Sequence, residues 1–585
     1  VDRPYGAFAS SMDLLESGAF ADFKWVIVAG LGTGVAGIST PVAAQGLAGA
    51  YLAGNQANRD NNYEVAARYY TRALARDPSN PFLLQNALIS YIGKGDVARA
   101  VAIAEKVASG DFSTQLADLV LVSDAIRRDD YARAAQILDD GSDRFSPLLS
   151  GLLAGWIALG DGRVTDAADR FDAMDNPTAL RLLGQYHKAL ALASVGDFET
   201  ADNILTGDTN GNLRLNRGSL IAHAQIMSHI GKDAEAIEML SNALRGTSDQ
   251  AVADLRDRIA AEGEVPYDFI QSAKGGAAEV FLNLAGLLER DNQDRLSIVY
   301  ARLAEHLRPN AEAILMTAEL LQDQEQYTLA TKTYARVAQD DPMFLNAELG
   351  RANALIDDEK RDAAIEVLRG LTRSHGDVPR VHMSLGDALR GGERYGEAAE
   401  AYDVAVAMIE EPAPNHWFLF YARGISNERE DNWDAAEADF RKALELNPDQ
   451  PLVLNYLGYS LVELRRNLEE AQGMIERAVA QRPRDGYITD SLGWVLYRVG
   501  KFDEAVAPME RAVELVPDDP IINDHLGDVY WKVGREREAR FQWRRALSFE
   551  PEEKDEQRIR RKLEVGLDVV IGEEDDRQTT VGGGN

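Results

Sequence analysis

Four columns of residues recur through the last quarter of this 585-residue chain at one period. Prolines stand at Pro448, Pro483, Pro517 and Pro551, spaced 35, 34 and 34. Alanines at Ala436, Ala471, Ala505 and Ala539 keep the same spacings, as do Ala443, Ala478, Ala512 and Ala546. Glycines at Gly424, Gly458, Gly493 and Gly527 are spaced 34, 35 and 34. So short a unit cannot bury an apolar face alone. It must stack on copies of itself, which excludes a chain of independent globular domains.

The columns read as two helices and their turns. Gly493 and Ala505 let paired helices approach closely, and Leu492, Leu496 and Met509 fill the gap. Gly500 serves the turn, and Pro517 follows the second helix, which it cannot continue. The order L-G-x-x-Y, A-x-x-x-F, P resembles the tetratricopeptide repeat (TPR). Leu526, Gly527, Tyr530, Ala539, Trp543, Ala546 and Pro551 follow it almost fully. Upstream the frame persists through Leu385-Gly386, Leu349-Gly350, Tyr327 with Ala330 and Tyr334, and Tyr63 with Ala66, Tyr70, Ala73 and Pro78. Between them, Ala100, Ala134, Ala167, Ala201 and Ala236 hold spacings of 34, 33, 34 and 35. The resemblance implies an all-α fold, an α-solenoid of helix-turn-helix pairs with about 14 units in two segments, roughly six before residue 245 and eight after 277.

The expected organisation is a leader and candidate signal peptide over 1–46, an N-terminal TPR-like solenoid over 47–244 and an insertion or hinge over 245–277. A C-terminal TPR solenoid over 278–551, a polar capping helix over 552–568 and a disordered tail over 569–585 follow. The hinge expectation rests on the missing L-G column and Pro266; Glu410 to Asn415 is a shorter insertion between units. A polar last helix seals the open apolar end of a solenoid. The strings Asn455–Tyr459, Asp490–Tyr497 and His525–Trp531 further resemble exported TPR proteins of Gram-negative bacteria, which are read as interaction scaffolds.

Residues 25–44 carry the order of a secretory signal: an apolar run from Trp25 to Ile38, then Pro41, and small residues at Val42 and Ala44 that suit cleavage after Ala44. This points to a periplasmic or envelope-associated protein, with a cytoplasmic one as the alternative, and to peripheral association with the envelope. Against it, the first 24 residues carry a net charge of −2. Gly32, Gly34 and Gly37 match a dinucleotide-binding fingerprint, but Pro41 interrupts the helix that such a site needs.

Chemistry is sparse. A formal charge of −33 argues against nucleic-acid partners, which need clustered Lys and Arg. With no cysteine there is no disulfide, thiol catalysis or Cys-ligated metal. The eight histidines show no ligand spacing, and no G-x-S-x-G elbow or phosphate loop occurs. Asp208 to Asn212 hints at a calcium loop, but its Gly falls early and the distal Glu is wrongly placed, so it reads as a turn. We therefore expect no cofactor, no metal, no catalytic residue and no small-molecule substrate.

In a TPR the first helix of each pair lines the inner surface. The residues flanking the L-G pair there are Asn455, Tyr459, Tyr487, Asp490, Trp494, Tyr497, Arg498, Asp524, Asp528, Trp531 and Lys532, with aromatic anchors among polar groups. Such a surface suits protein or peptide partners. The expected function is a non-enzymatic scaffold. A cytosolic adaptor, or an envelope-related enzyme with an unrecognised site, are the alternatives. Trp543, in the core column, is expected to be structural.

Overall fold

The computed structural model describes residues 47–110, 113–174, 178–207, 217–245, 249–290 and 294–582. The candidate signal peptide and the turn at 208–212 lie outside the described residues. Among those described, thirty-one α-helices and one 3₁₀ turn make up the regular structure, and there is no strand. The described residues fold as an all-α array of helix-turn-helix pairs stacked on one another. It divides into two compact units, Val1–Leu371 and Thr372–Asn585.

Several first helices are punctuated alike. Short polar side chains cap the helices: Asn80 accepts from the Leu83 N–H (3.2 Å), Ser146 from Leu149 (3.3 Å) and Asp519 from Ile522 (2.9 Å), each followed by a proline at the first helical position. Most of the described turns within a pair hold one residue in the left-handed region. That residue is Gly500 (φ 82°) or Gly534 (80°), but Glu359 (56°) and Glu393 (58°) at equivalent places. The glycine column meets the side chain one pair-width on. A Cβ at Gly493 would stand 2.5 Å from Met509 Cγ, and one at Gly527 2.5 Å from Trp543 Cδ1.

In the first unit, six pairs run from Leu47–Arg59 with Tyr63–Leu74 to Arg217–His229 with Asp233–Ala243. Ala100, Ala134, Ala167, Ala201 and Ala236 are all buried, as the spacing required. The segment expected as a hinge is a different object. Helix Gln250–Glu262 is followed by a loop pinned to helix Arg217–His229. Gln225 Oε1 accepts from the Asp268 and Phe269 N–H groups (3.1 and 3.2 Å), Ser228 Oγ from Val265 N–H (3.0 Å) and His229 Nε2 from Tyr267 N–H (2.9 Å). Val265 and Ile270 are fully buried.

That loop turns the chain back. The pair Ala273–Arg290 and Asp294–Leu307 does not extend the row; it packs along the inner face of the earlier first helices. Gly276 lies against Trp156, where a Cβ would stand 2.2 Å from the ring. Tyr186 donates to Glu279 (3.0 Å), Lys274 to Asp129 (3.1 Å) and Arg302 Nε to the Gly93 carbonyl (3.4 Å). One hydrophobic core joins both sets of helices. The repeat frame could not show this, because pairs that stack in line and pairs that fold back carry the same columns.

In the second unit, five pairs run from Pro379–Arg390 with Tyr395–Ala407 to Pro520–Lys532 with Glu536–Ser548. The insertion after Glu410 forms the 3₁₀ turn Pro414–His416. The capping helix is Glu553–Val565. The tail expected to be disordered is instead described as helix Leu567–Gly582, held by Leu567 and Val570, which are buried.

The glycine column makes a contrast testable by urea unfolding. Gly527→Ala forces a methyl into the fully buried Trp543 and is expected to cost about 1–3 kcal/mol. Gly473→Ala, inside helix Leu468–Gln481 with nothing within 4 Å, is expected to stabilise by about 0.5–1 kcal/mol. Equal effects would break the close-approach account.

Candidate functional site

The second unit presents its first helices in sequence: Trp417–Arg429, Pro451–Glu463, Gly486–Arg498 and Pro520–Lys532 follow Pro379–Arg390. At 100° per residue, Tyr487, Asp490, Trp494, Tyr497 and Arg498 fall within an arc of about 100°, roughly a quarter-turn from Gly493. The glycine faces its own second helix, so this arc is the inner face.

The structure divides the expected site residues into three groups. The first is packing between units. Trp494 is only 5% exposed; it stacks on Tyr497 (4.8 Å between ring centroids) and on His525 of the next unit (3.9 Å), and its Nε1 donates to Glu463 (2.6 Å). Tyr497 is buried, and Arg498 leans over the Trp494 ring at 5.8 Å. Asp490 is buried and takes His525 Nδ1 at 3.0 Å. The exposed-anchor expectation for Trp494 and Tyr497 is therefore corrected: consecutive first helices lie close enough for rings to stack across the gap.

The second group closes the C-terminal end. Asp524 and Asp528 are buried and receive the fully buried Lys562 of the capping helix, at 2.6 Å and at 2.7 and 2.8 Å. Asp528 also accepts from Trp543 Nε1 (2.9 Å). Trp531 donates to Asp568 (2.9 Å), and Lys532 pairs with the same carboxylate. These four are occupied by the chain itself.

The third group keeps contact with solvent: Asn455, Tyr459 and Tyr487 are half-buried. Burial raises the pKa of both tyrosines, with carboxylates adding to it, so both phenols stay neutral donors. Tyr487 belongs to a column that the L-G motif did not reveal. It is the second residue of its helix, and the second residues of the other first helices are Arg380, Phe418, Leu452 and Ile521, all half-buried. The spacing from Phe418 onward is 34, 35 and 34, the signal that could have found them.

His525 was also missed, though Asp490 precedes it by one repeat length. Burial opposes its charge, but the Asp490 carboxylate and the hydrogen bond to it win, and the pKa is raised. Among the described residues no group of three or more His, Asp or Glu is placed to hold a metal, and no helix is long and apolar enough to cross a membrane.

Comparison with known proteins gives the repeat a name. The tetratricopeptide-repeat family profile matches residues 349–415, 421–486, 457–520 and 491–547. The chain is 27% identical over 183 residues to a TPR repeat-containing protein of Pseudomonas aeruginosa, a match covering 31% of this chain and 30% of that protein's own length. Among solved structures it is similar to the APC/C hetero-tetramer Cut9–Hcn1 (13% identity, 88% of this chain and 96% of that one, TM-score 0.36). It is also similar to a tetratricopeptide repeat protein from Parabacteroides merdae (16% identity, 43% and 97%, TM-score 0.35).

Two outcomes are expected. Trp494→Ala should cost about 3–5 kcal/mol, as a core truncation does; a melt unchanged from wild type would return Trp494 to the surface. The His525–Asp490 pair should make the second unit pH-dependent. A histidine whose folded pKa is raised stabilises fully below its unfolded value, about 6.5, and that stability is lost as pH climbs through the folded value. Urea melts between pH 5.5 and 8.5 should fall in midpoint with rising pH, and Asp490→Asn should flatten the slope.

Proposed function

We propose that this chain, built of tetratricopeptide repeats, is a non-enzymatic scaffold that binds protein or peptide partners on the inner face of its second unit. TPR repeats in general serve as protein-interaction scaffolds. One observation carries the finer reading. The inner face of the N-terminal pairs is already covered by the helices Ala273–Arg290 and Asp294–Leu307, whereas the second unit keeps a run of half-buried aromatic, aliphatic and polar side chains in contact with solvent. Such mixed, partly apolar surfaces are where partners gain most on burial. The net charge of −33 disfavours nucleic acid as that partner.

The proposed location is the bacterial cell envelope, supported by the apolar run Trp25–Ile38 and the small residues up to Ala44. A mature N-terminus near Gln45 in the cellular protein would support it; an intact leader on cytosolic protein would favour the adaptor reading.

The scaffold reading is tested by photocrosslinking in cells. A benzophenone side chain in place of Leu452, on the inner face, is expected to capture protein partners. The same group in place of Glu476, exposed on the second helix of that pair, is expected to capture far less. Equal capture from both would place binding elsewhere and overturn the reading.

A further inference from the structure

Helix Glu553–Val565 does not continue the row that it ends. In the second unit the turns that join one pair to the next hold no residue in the left-handed region until Glu550 (φ 52°), just before this helix. Near its end, Lys562 meets helix Pro520–Lys532 at Asp524 (2.6 Å) and Asp528 (2.7 Å). One turn earlier, Arg558 stands 3.5 and 3.6 Å from the same carboxylates. It also acts on Tyr497 of helix Gly486–Arg498, opposing the rise in pKa that burial and Asp528 cause there. Asp555, nearer the start, acts on Tyr459 of helix Pro451–Glu463, adding to the rise caused by burial, Glu463 and Asp490. Residues 562, 558 and 555 thus bear in turn on three successive first helices. A helix in line with the row would meet only the last of them. Helix Glu553–Val565 therefore lies across the inner face.

The hold on it is slight. It buries one apolar side chain, Ile559, and one charge, Lys562, whereas the second helices of the three pairs before it bury three or four side chains each. A buried ion pair returns little beyond the hydration taken from its charges, and both aspartates regain water if the helix leaves. Leu567 and Val570, which are buried, hold the next helix. Its first turn adds an exposed latch: Trp531 Nε1 donates to Asp568 (2.9 Å), and Lys532 pairs with the same carboxylate.

Nor does Lys562 satisfy the socket that it fills. Asp524 is buried, yet its Oδ1 has no hydrogen-bond partner among the described residues. An ammonium is a point donor. A guanidinium presents a fork that takes both oxygens of one carboxylate.

We propose that helices Glu553–Val565 and Leu567–Gly582 form a lid on the C-terminal part of the inner face, and that a helical partner segment bearing an arginine displaces it by filling the Asp524–Asp528 socket. This concerns the regulation of the face proposed above as the partner surface, and it rests on that reading.

The test uses the full-length chain, which has no cysteine and so takes labels at chosen sites. Spin labels at Lys554, on the lid, and Ala480, on helix Leu468–Gln481, both exposed, report the lid position by pulsed dipolar spectroscopy. The probe is a stapled, end-capped helical peptide of residues 552–571, with its Lys562→Arg and Lys562→Gln forms. The Arg form should shift the label distance at about tenfold lower concentration than the Lys form, and the Gln form should leave it unchanged. Asp568→Ala in the protein removes the exposed latch and leaves the socket intact. It should lower the concentration needed by about tenfold again. Amide exchange in residues 553–565 should be at least about tenfold faster than in 520–532, and faster still in D568A. A distance that no peptide moves, one that all three move alike, or equal exchange in the two helices would each show a fixed cap and overturn the proposal. Partner capture from position 452 is read separately, so a fixed cap with capture intact would leave the scaffold reading standing.

Discussion

A large side chain set against a glycine backbone decides how close the two helices of a pair lie, and the rest of the molecule inherits that distance. At Gly424 the filler is Phe440, at Gly493 Met509 and at Gly527 Trp543, each 16 residues on and each with no room for a methyl between. The approach that brings the helices together also buries what lies beside them, so Trp543 Nε1 must find Asp528. It brings consecutive first helices near enough for Trp494 to stack on His525. Much of what looks like a binding surface in the sequence is in this way consumed by contacts between units.

The inner face is a limited resource, and the two units use it differently. In the first, the loop after helix Gln250–Glu262 is pinned by Gln225, Ser228 and His229, and the following pair is directed back over Trp156, Tyr186 and Gly93. Side chains that would otherwise face water become core, which lets repeats of weak consensus hold together. The gain in buried apolar area comes at the loss of a surface on which a partner could lie.

The end of the second unit is closed by charge. Lys562 is fully buried and survives there only because Asp524 and Asp528 surround its ammonium; Arg558 stands 3.5 and 3.6 Å from the same two carboxylates. In a stack of near-identical units, an apolar contact would accept any further repeat. A buried lysine between two aspartates accepts only this helix, so the pairing marks where the row stops.

The repeat frame was legible in the sequence because it is a local requirement. Each pair needs its small residues, its filler and its proline at fixed offsets, and columns such as Ala100 to Ala236 or Pro448 to Pro551 record that directly. The number of pairs, their all-helical nature and the structural place of Trp543 followed from it. The direction in which pairs stack did not. Helices 273–307 carry no column that distinguishes folding back from continuing, because the choice is made by a loop hydrogen-bonded to residues some 40 positions away. The same holds for the site. Which residues share the inner arc is set by helical rotation and could be read; whether a given aromatic on that arc faces water or the next unit depends on the distance between neighbouring first helices, which only the packed structure decides. Trp494 and Tyr487 sit seven residues apart on one helix, and the first is buried under His525 while the second stays half-buried, a difference set by which side chains of the next unit reach each ring.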